Sequence, residues 1–208
     1  MTAESEEKRR HRETVHLARD AQSGGQASFG ALYERLTPVL HSWASLRLRP
    51  GMRGRVEPDD IVQEVWMRAH RVFDRWDSSR SPFRAWLLSV AKNVMLEALR
   101  HVRRPDAAAG GVTQSSKAFD LADVPADVTS LSRRCARDER LLGFVECVRE
   151  LPAGDRMLVV HCGLEGDTCK NVAVRLDLTE AAVIKRWQRL KKRLEGMGVP
   201  GLLSDEES

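Results

Sequence analysis

TCKNVAVRLDLTEAAVIKRWQRLKKRLE, residues 168–195, holds two short helical patterns separated by a tight turn. Thr168 and Thr179 each precede a run with helical spacing. A threonine hydroxyl there can accept a hydrogen bond from an amide of the first helical turn, which lacks an intrahelical partner. Between the two runs lie Asp177 and Leu178, room for a tight turn and nothing more. Two short helices joined this closely make a helix-turn-helix. Ala173 falls where the first helix must approach the second, and Val172, Leu176, Leu178, Val183 and Trp187 are the expected shared core. Asp177 stands where such turns prefer Gly, and Asp tolerates a left-handed backbone better than most residues. The final helix carries Lys185, Arg186, Arg189, Lys191, Lys192 and Arg193 against Glu180 and Glu195. A basic helix presented this way suits the DNA major groove, where side chains near its start reach base edges. The alternative is a solvated basic face on an ordinary bundle helix.

Upstream, Leu141, Leu142, Val145, Val148 and Leu151 mark another helix. Pro152-Ala153-Gly154 is an expected turn, Asp155 an expected N-cap for a short helix over MLVVHC, and Gly163–Asp167 an expected loop. Residues 105–130 are rich in Ala, Asp, Ser, Gly and Pro and have no apolar period, the composition of a flexible linker. They divide the chain into two compact parts, the second starting near Leu131.

The N-terminal part is helical throughout by its spacing. Residues 1–13 read as a solvated, frayed start, with the first helix from Thr14 and a break at Ser23-Gly24-Gly25. Phe29, Leu32, Tyr33, Leu36, Val39 and Leu40 recur at three- and four-residue intervals. From Pro58, Ile61, Val62, Val65, Trp66, Ala69, Val72 and Phe73 form one apolar stripe, while Asp60, Gln63, Glu64 and Arg71 lie on another face. Pro58 suits the first helical position, and Asp59 and Asp60 complement the positive end of the helix dipole. DRWDSSRSP (74–82) reads as a loop, with Ser81 as N-cap and Pro82 as first residue of a long helix. That helix buries Phe83, Trp86, Leu87, Val90, Ala91, Val94, Met95, Ala98 and Leu99. Its outer face carries Lys92, Asn93, Arg100 and His101, and Arg103, Arg104 and Pro105 close it. Basic residues near Trp66, Trp76 and Trp86 suit nucleic acid. The stripe positions of Trp66 and Trp86 make core the better reading for both, and Trp76 fits either role.

Bulk properties narrow the class. The 208 residues carry 34 Lys and Arg against 30 Asp and Glu, a net charge of +4, so any basic surface arises by local clustering. The sequence is 42% hydrophobic and 31% charged, a globular balance. No apolar run approaches the roughly 18–20 residues of a membrane span, and the N-terminus has no signal-peptide core. Cys135, Cys147, Cys162 and Cys169 make no disulfide framework, so cytoplasmic localisation with reduced thiols is expected. Cys162 and Cys169 with His161 fall short of four metal ligands at workable spacing, so no metal and no other cofactor is expected. No nucleophile–base pair, phosphate loop or carboxylate pair points to an enzyme.

At this point a resemblance appears. DDIVQEVWMRAH (59–70) resembles the segment of bacterial sigma factors that grips the RNA polymerase clamp, and FRAWLLSVAKNVMLEALR (83–100) the next segment, which opens and reads the −10 promoter element. AQSGGQASFGALYERLTPVL resembles the start of the same domain. LLGFVECVRELPAGDRMLVV with the helix-turn-helix resembles the −35-binding domain. Size and plan are similar to the extracytoplasmic-function (ECF) group of the sigma-70 family. The resemblance implies an all-α fold of two small helical domains, region 2 over 14–104 and region 4 over 138–195, and a non-enzymatic factor that directs core RNA polymerase to promoters. It implies that Asp59, Asp60, Gln63 and Glu64 contact the clamp helices, with the flap as a further polymerase contact. A flipped −10 base would sit around 74–83. Asn93 would hydrogen-bond a −10 base, with Lys92, Arg100 and His101 touching the strand. In the last helix Ile184, Lys185, Gln188 and Arg189 would face −35 bases, and Thr179, Arg186 and Lys192 phosphates. An anti-sigma factor is common in the group and would cover these faces. Two rivals are a stand-alone helix-turn-helix regulator, which leaves DDIVQEV without a task, and a sigma-like adaptor that no longer binds DNA, against which the basic last helix and Asn93 speak.

Overall fold

The computed structural model describes residues 3–48, 55–103, 134, 135, 137–195 and 203. Among them the regular elements are all helices. The expected linker, apart from its last few residues, lies outside the described residues. Compact packing divides the chain into one unit over residues 15–136 and another over 137–208 together with residues 1–14.

The first unit is built of α1 (Ala3–Gln22) from Val15 onward, α2 (Gln26–Arg47), α3 (Pro58–Arg71) and α4 (Phe83–Arg103). The first begins well before Thr14, the expected start. Its opening turns are polar, and a helix needs no apolar stripe where charged residues recur at three- and four-residue spacing; Arg9 and Glu13 form one such pair at 3.6 Å. Gly24, at φ +95°, turns the chain between α1 and α2. At Gly25 a Cβ would stand 2.5 Å from Asp20 Oδ2, so the tight turn excludes larger residues.

Helix α3 packs on both α2 and α4. Ile61, Val62, Val65, Trp66 and Ala69 are buried as the stripe predicts. Pro58 opens the helix, and Glu57 and Asp60 form a reciprocal capping box with the backbone amides there. An aromatic cluster fills the centre. The ring of Phe29 meets those of Trp66 and Phe73 edge-on at 5.8 Å, and Phe73 meets Phe83 at 5.5 Å. Such edge-to-face pairs add about 0.5–1.5 kcal/mol each beyond burial. The long helix starts at Phe83, with Pro82 just before it supplying the carbonyl that accepts from Trp86 N. The cap thus falls one residue later than expected.

The second unit holds α5 (Glu139–Glu150), α6 (Ala153–Leu158), α7 (Cys169–Leu176) and α8 (Glu180–Glu195). Asp138 caps α5, accepting from the amides of Arg140 and Leu141. Phe144 rather than Leu142 faces inward, and Leu142 is 44% exposed. Asp155 lies inside the first turn of α6 instead of capping it. MLVVHC does not continue as an α-helix: Val159–Leu164 form a π-helical turn, closed by Glu165 N donating to Val160 O at 2.9 Å. Gly163 and Leu164, expected in a loop, are buried in this turn. The wider turn lets Val159, Val160, Cys162 and Leu164 all face the core. A Cβ on Gly163 would come within 2.7 Å of the Trp187 ring and 2.8 Å of Leu203, so glycine admits both.

Candidate functional site

The helix-turn-helix is built by local hydrogen bonds. Thr168 Oγ1 accepts from Asn171 N at 3.2 Å and starts α7. Asp177 ends it at φ 53°, ψ 47°, the left-handed conformation expected, and Leu178 N donates to Ala173 O at 3.0 Å. Thr179 Oγ1 then accepts from Ala182 N at 3.3 Å, starting α8. Val172, Ala173, Val183 and Trp187 are buried between the two helices, and Leu190 and Leu194 extend the stripe. Leu178, expected in this core, is 40% exposed. The reversal at Asp177 turns its amide, not its side chain, toward α7.

Opposite the buried stripe, Lys185, Gln188, Arg189 and Lys192 are exposed at i, i+3, i+4 and i+7, one continuous face. Thr179 is exposed at the helix start and Ile184 is half-buried. Arg186 is different: its Nε donates to Asp155 Oδ1 on α6 at 2.5 Å, and the guanidinium lies over Gly154.

Beneath α7, His161 Nδ1 stands 2.9 Å from Glu165 Oε2 and 3.0 Å from Arg175 Nη1. Arg175 Nη1 also pairs with Asp167 Oδ2 at 2.8 Å. The ligand atoms of His161, Glu165 and Asp167 lie within 4.8 Å of one another, close enough for a cation. Arg175 already places its positive charge against two of them. The four cysteines are not joined in disulfides. Burial pushes the Cys162 thiol up to about 12, with Cys169 beside it adding to the effect, so it stays a thiol at neutral pH.

In the first unit, the four residues expected to face a partner lie along α3. Asp60 is exposed, and Asp59, Gln63 and Glu64 are half-buried. Three of them also bond within the unit. Asp60 Oδ2 accepts from Glu57 N at 3.4 Å. Asp59 lies 3.5 Å from Nε2 of the buried His41, whose pKa burial lowers while Asp59 partly opposes. Glu64 accepts from Arg68 at 3.0 Å. On α4, Asn93, Arg100 and His101 are exposed along one edge and Lys92 is half-buried. Between α3 and α4 a pocket of about 300 Å³ opens, with Asn93, Arg100 and the 51%-exposed Leu96 on its walls.

Residues 74–83 surround a buried tryptophan, with Asp74, Arg75, Asp77, Ser79 and Arg80 exposed. Phe73–Arg75 form a 3₁₀ turn. Trp76, which fits either role in the sequence, is core: it is 3% exposed, meets Phe83 edge-on at 5.3 Å and donates from Nε1 to Ser81 O at 3.2 Å. Gln22 of α1 donates to the carbonyls of Phe73 (3.0 Å) and Trp76 (2.8 Å), and Arg19 donates to Ser78 Oγ. Sequence reasoning missed Gln22 and Arg19, which pin this loop from a distant helix and carry no local signal. It also missed Arg68 and Glu97, although the Glu64–Arg68 spacing of four was visible.

Comparison with known proteins agrees with this architecture. Residues 32–104 match the family model for sigma-70 region 2. The chain is 28% identical over 183 residues to the RNA polymerase sigma factor CnrH of Cupriavidus metallidurans, covering 87% of this chain and 92% of that relative. It is 27% identical to the sigma factor NccH of Alcaligenes xylosoxydans xylosoxydans over the same shares. It is 26% identical over 188 residues to the ECF sigma factor SigM of Mycobacterium tuberculosis, covering 89% and 85%. The solved structure of CnrH in complex with the cytosolic domain of CnrY is 24% identical at a TM-score of 0.42, covering 89% of this chain and 96% of that one. Among the described residues, no helix is long and apolar enough to cross a membrane. The region 2 match falls on the helices that carry DDIVQEV and Asn93, so the chain carries a sigma-70 region 2 over residues 32–104, and along most of its length it is similar to sigma factors of transcription initiation, the ECF group among them.

Proposed function

We propose that this chain is an ECF sigma factor that binds core RNA polymerase in the cytoplasm and directs it to promoters by reading −35 and −10 elements, melting the latter. Region 2 spans 14–104, a linker 105–137 and region 4 138–195. The observation that carries the proposal is the exposed face of α8, where Lys185, Gln188, Arg189 and Lys192 stand opposite a buried Trp187 stripe on a helix capped by Thr179. Such a face fits the major groove, with Ile184, Lys185, Gln188 and Arg189 toward −35 base edges and Thr179 and Lys192 toward phosphates. The half-buried Ile184 fits a thymine methyl. Arg186, expected on a phosphate, has its guanidinium on Asp155.

The α3 edge with Asp59, Asp60, Gln63 and Glu64 is the surface proposed for the polymerase clamp helices, and region 4 the surface for the flap. Asn93, with Lys92, Arg100 and His101, is proposed to hold the single-stranded −10 element. Extruding a base costs a few kcal/mol, which contacts of this kind must offset. An anti-sigma factor is a proposed regulatory partner that would cover the same faces.

Run-off transcription tests the proposal. Core polymerase with this chain, on a pool of promoter fragments, yields discrete transcripts absent with core alone. A stable complex with core but no transcripts points to an adaptor. Neither transcripts nor a complex points to a stand-alone regulator.

A further inference from the structure

The α3 edge and the α4 edge meet at one side chain. Arg68 leaves α3 one turn after Glu64, and its Nε and Nη2 each lie 3.0 Å from Glu64 Oε1. The same Nη2 lies 2.7 Å from Glu97 Oε2 on α4. A guanidinium presents its donors in a rigid planar fork, so one orientation serves both carboxylates. The bond to Arg68 holds the Glu97 carboxyl below the usual carboxylate range. These groups are partly solvated, with side-chain exposures of 27% for Arg68, 28% for Glu64 and 46% for Glu97, so their net contribution to stability is modest. What they supply is geometry. Glu97 lies one turn from Asn93 and one turn from Arg100 on α4, and Arg68, Asn93, Glu97 and Arg100 all line the pocket of about 300 Å³. Arg68 therefore grips α4 at the middle of its proposed strand-facing edge.

An arginine beside a DNA strand would ordinarily be read as a phosphate ligand. Here its single positive charge is already matched by two carboxylates, Glu64 and Glu97, which leaves it poorly placed as a phosphate ligand. We infer that Arg68 is a positioning residue for single-stranded promoter DNA: clamped between Glu64 and Glu97, it sets the register of α4 against α3 and so places Asn93, without touching the strand. This rests on the proposed strand contact of Asn93.

The test uses holoenzyme reconstituted from the full chain and core polymerase. The probe is a fluorescein-labelled single-stranded DNA oligonucleotide selected by the wild-type holoenzyme from a random pool. Asn93→Ala, Arg68→Gln and Glu97→Gln are each expected to weaken binding about tenfold. Arg68→Gln and Glu97→Gln are expected to add little on an Asn93→Ala background, because an interaction that acts through Asn93 is lost only once. The salt slope stays at the wild-type value in Arg68→Gln. Additive losses with a slope shallower by about 0.7 would make Arg68 a direct phosphate ligand and overturn the inference. Unchanged strand binding in both Arg68→Gln and Glu97→Gln would overturn it as well. An Asn93→Ala holoenzyme that binds normally would instead remove the strand contact of Asn93, and the positioning role with it. Circular-dichroism melting accompanies each variant, and Glu97→Gln, which leaves the Glu64–Arg68 pair intact, carries the test if Arg68→Gln does not fold.

Discussion

Arg186 and Asp155 tie the basic helix α8 to the short helix α6, Nε to Oδ1 at 2.5 Å, with the arginine 37% and the aspartate 21% exposed. A residue expected from the sequence to hold DNA thus also bonds within its own domain. Arg186→Gln is expected to weaken −35 DNA binding several-fold by loosening α8, with no change in the salt dependence of binding. Loss of a true phosphate contact would make the slope of log K against log salt shallower by about 0.9. Fluorescence anisotropy across a salt series reads the difference. Asp155→Asn is expected to reproduce the effect.

Lys185 and Arg189 stand one turn apart on the exposed face of α8, away from Trp187. Lys185→Ala with Arg189→Ala is expected to relax −35 specificity, each base contact contributing roughly 1–3 kcal/mol of discrimination. Thermal stability should hardly move, because neither side chain is buried. Binding-site selection from a random duplex pool, compared with the wild type, checks this; an identical selected sequence would remove α8 from base readout.

Gln63 is half-buried on α3, between the capping Asp60 and the Arg68-bound Glu64. Gln63→Ala is expected to weaken core polymerase binding while leaving the melting temperature within a degree or two, since surface changes of this kind usually stay within about 0.5 kcal/mol. Competition against labelled wild-type chain for core polymerase measures it.

His41 makes the first unit acid-sensitive. Burial lowers its folded-state pKa below 6.5, and the nearby Asp59 opposes this only in part. The unfolded chain therefore binds the proton more readily, so the contribution of His41 to stability is present above about pH 6.5 and is lost as pH falls toward the folded value. Melting temperature against pH should fall on that limb, and His41→Gln should flatten it. Asp59→Asn, by removing the opposing charge, should steepen it.

Asp177 holds φ 53° at the helix-turn-helix turn. Asp177→Ala is expected to destabilise the second unit by about 1 kcal/mol, the left-handed cost for a residue with a plain Cβ. Asp177→Gly should be neutral or slightly stabilising, and chemical denaturation of the two variants separates the outcomes.

Features that depend on neighbours in the chain are legible in the residues alone. Thr168 and Thr179 cap helices because a cap reaches only two or three residues ahead. Asp177 turns left-handed because so short a connection leaves no other route. The Trp66 and Trp187 stripes are buried because helical periodicity brings side chains three and four residues apart onto one face. The all-helical class and the faces of α3, α4 and α8 were legible on the same grounds. Helix packing settles which polar groups on those faces bond to one another. Arg68 with Glu97, Arg186 with Asp155, His41 with Asp59, and Gln22 with the Trp76 loop are pairs distant in sequence, and no local period announces them. They form because packed helices bring their flanks within hydrogen-bond reach, and a charge held at such a flank finds an opposite charge before it finds a ligand. Trp76 became core for a related reason: Phe73 and Phe83, on either side of its loop, close around it once α3 and α4 pack.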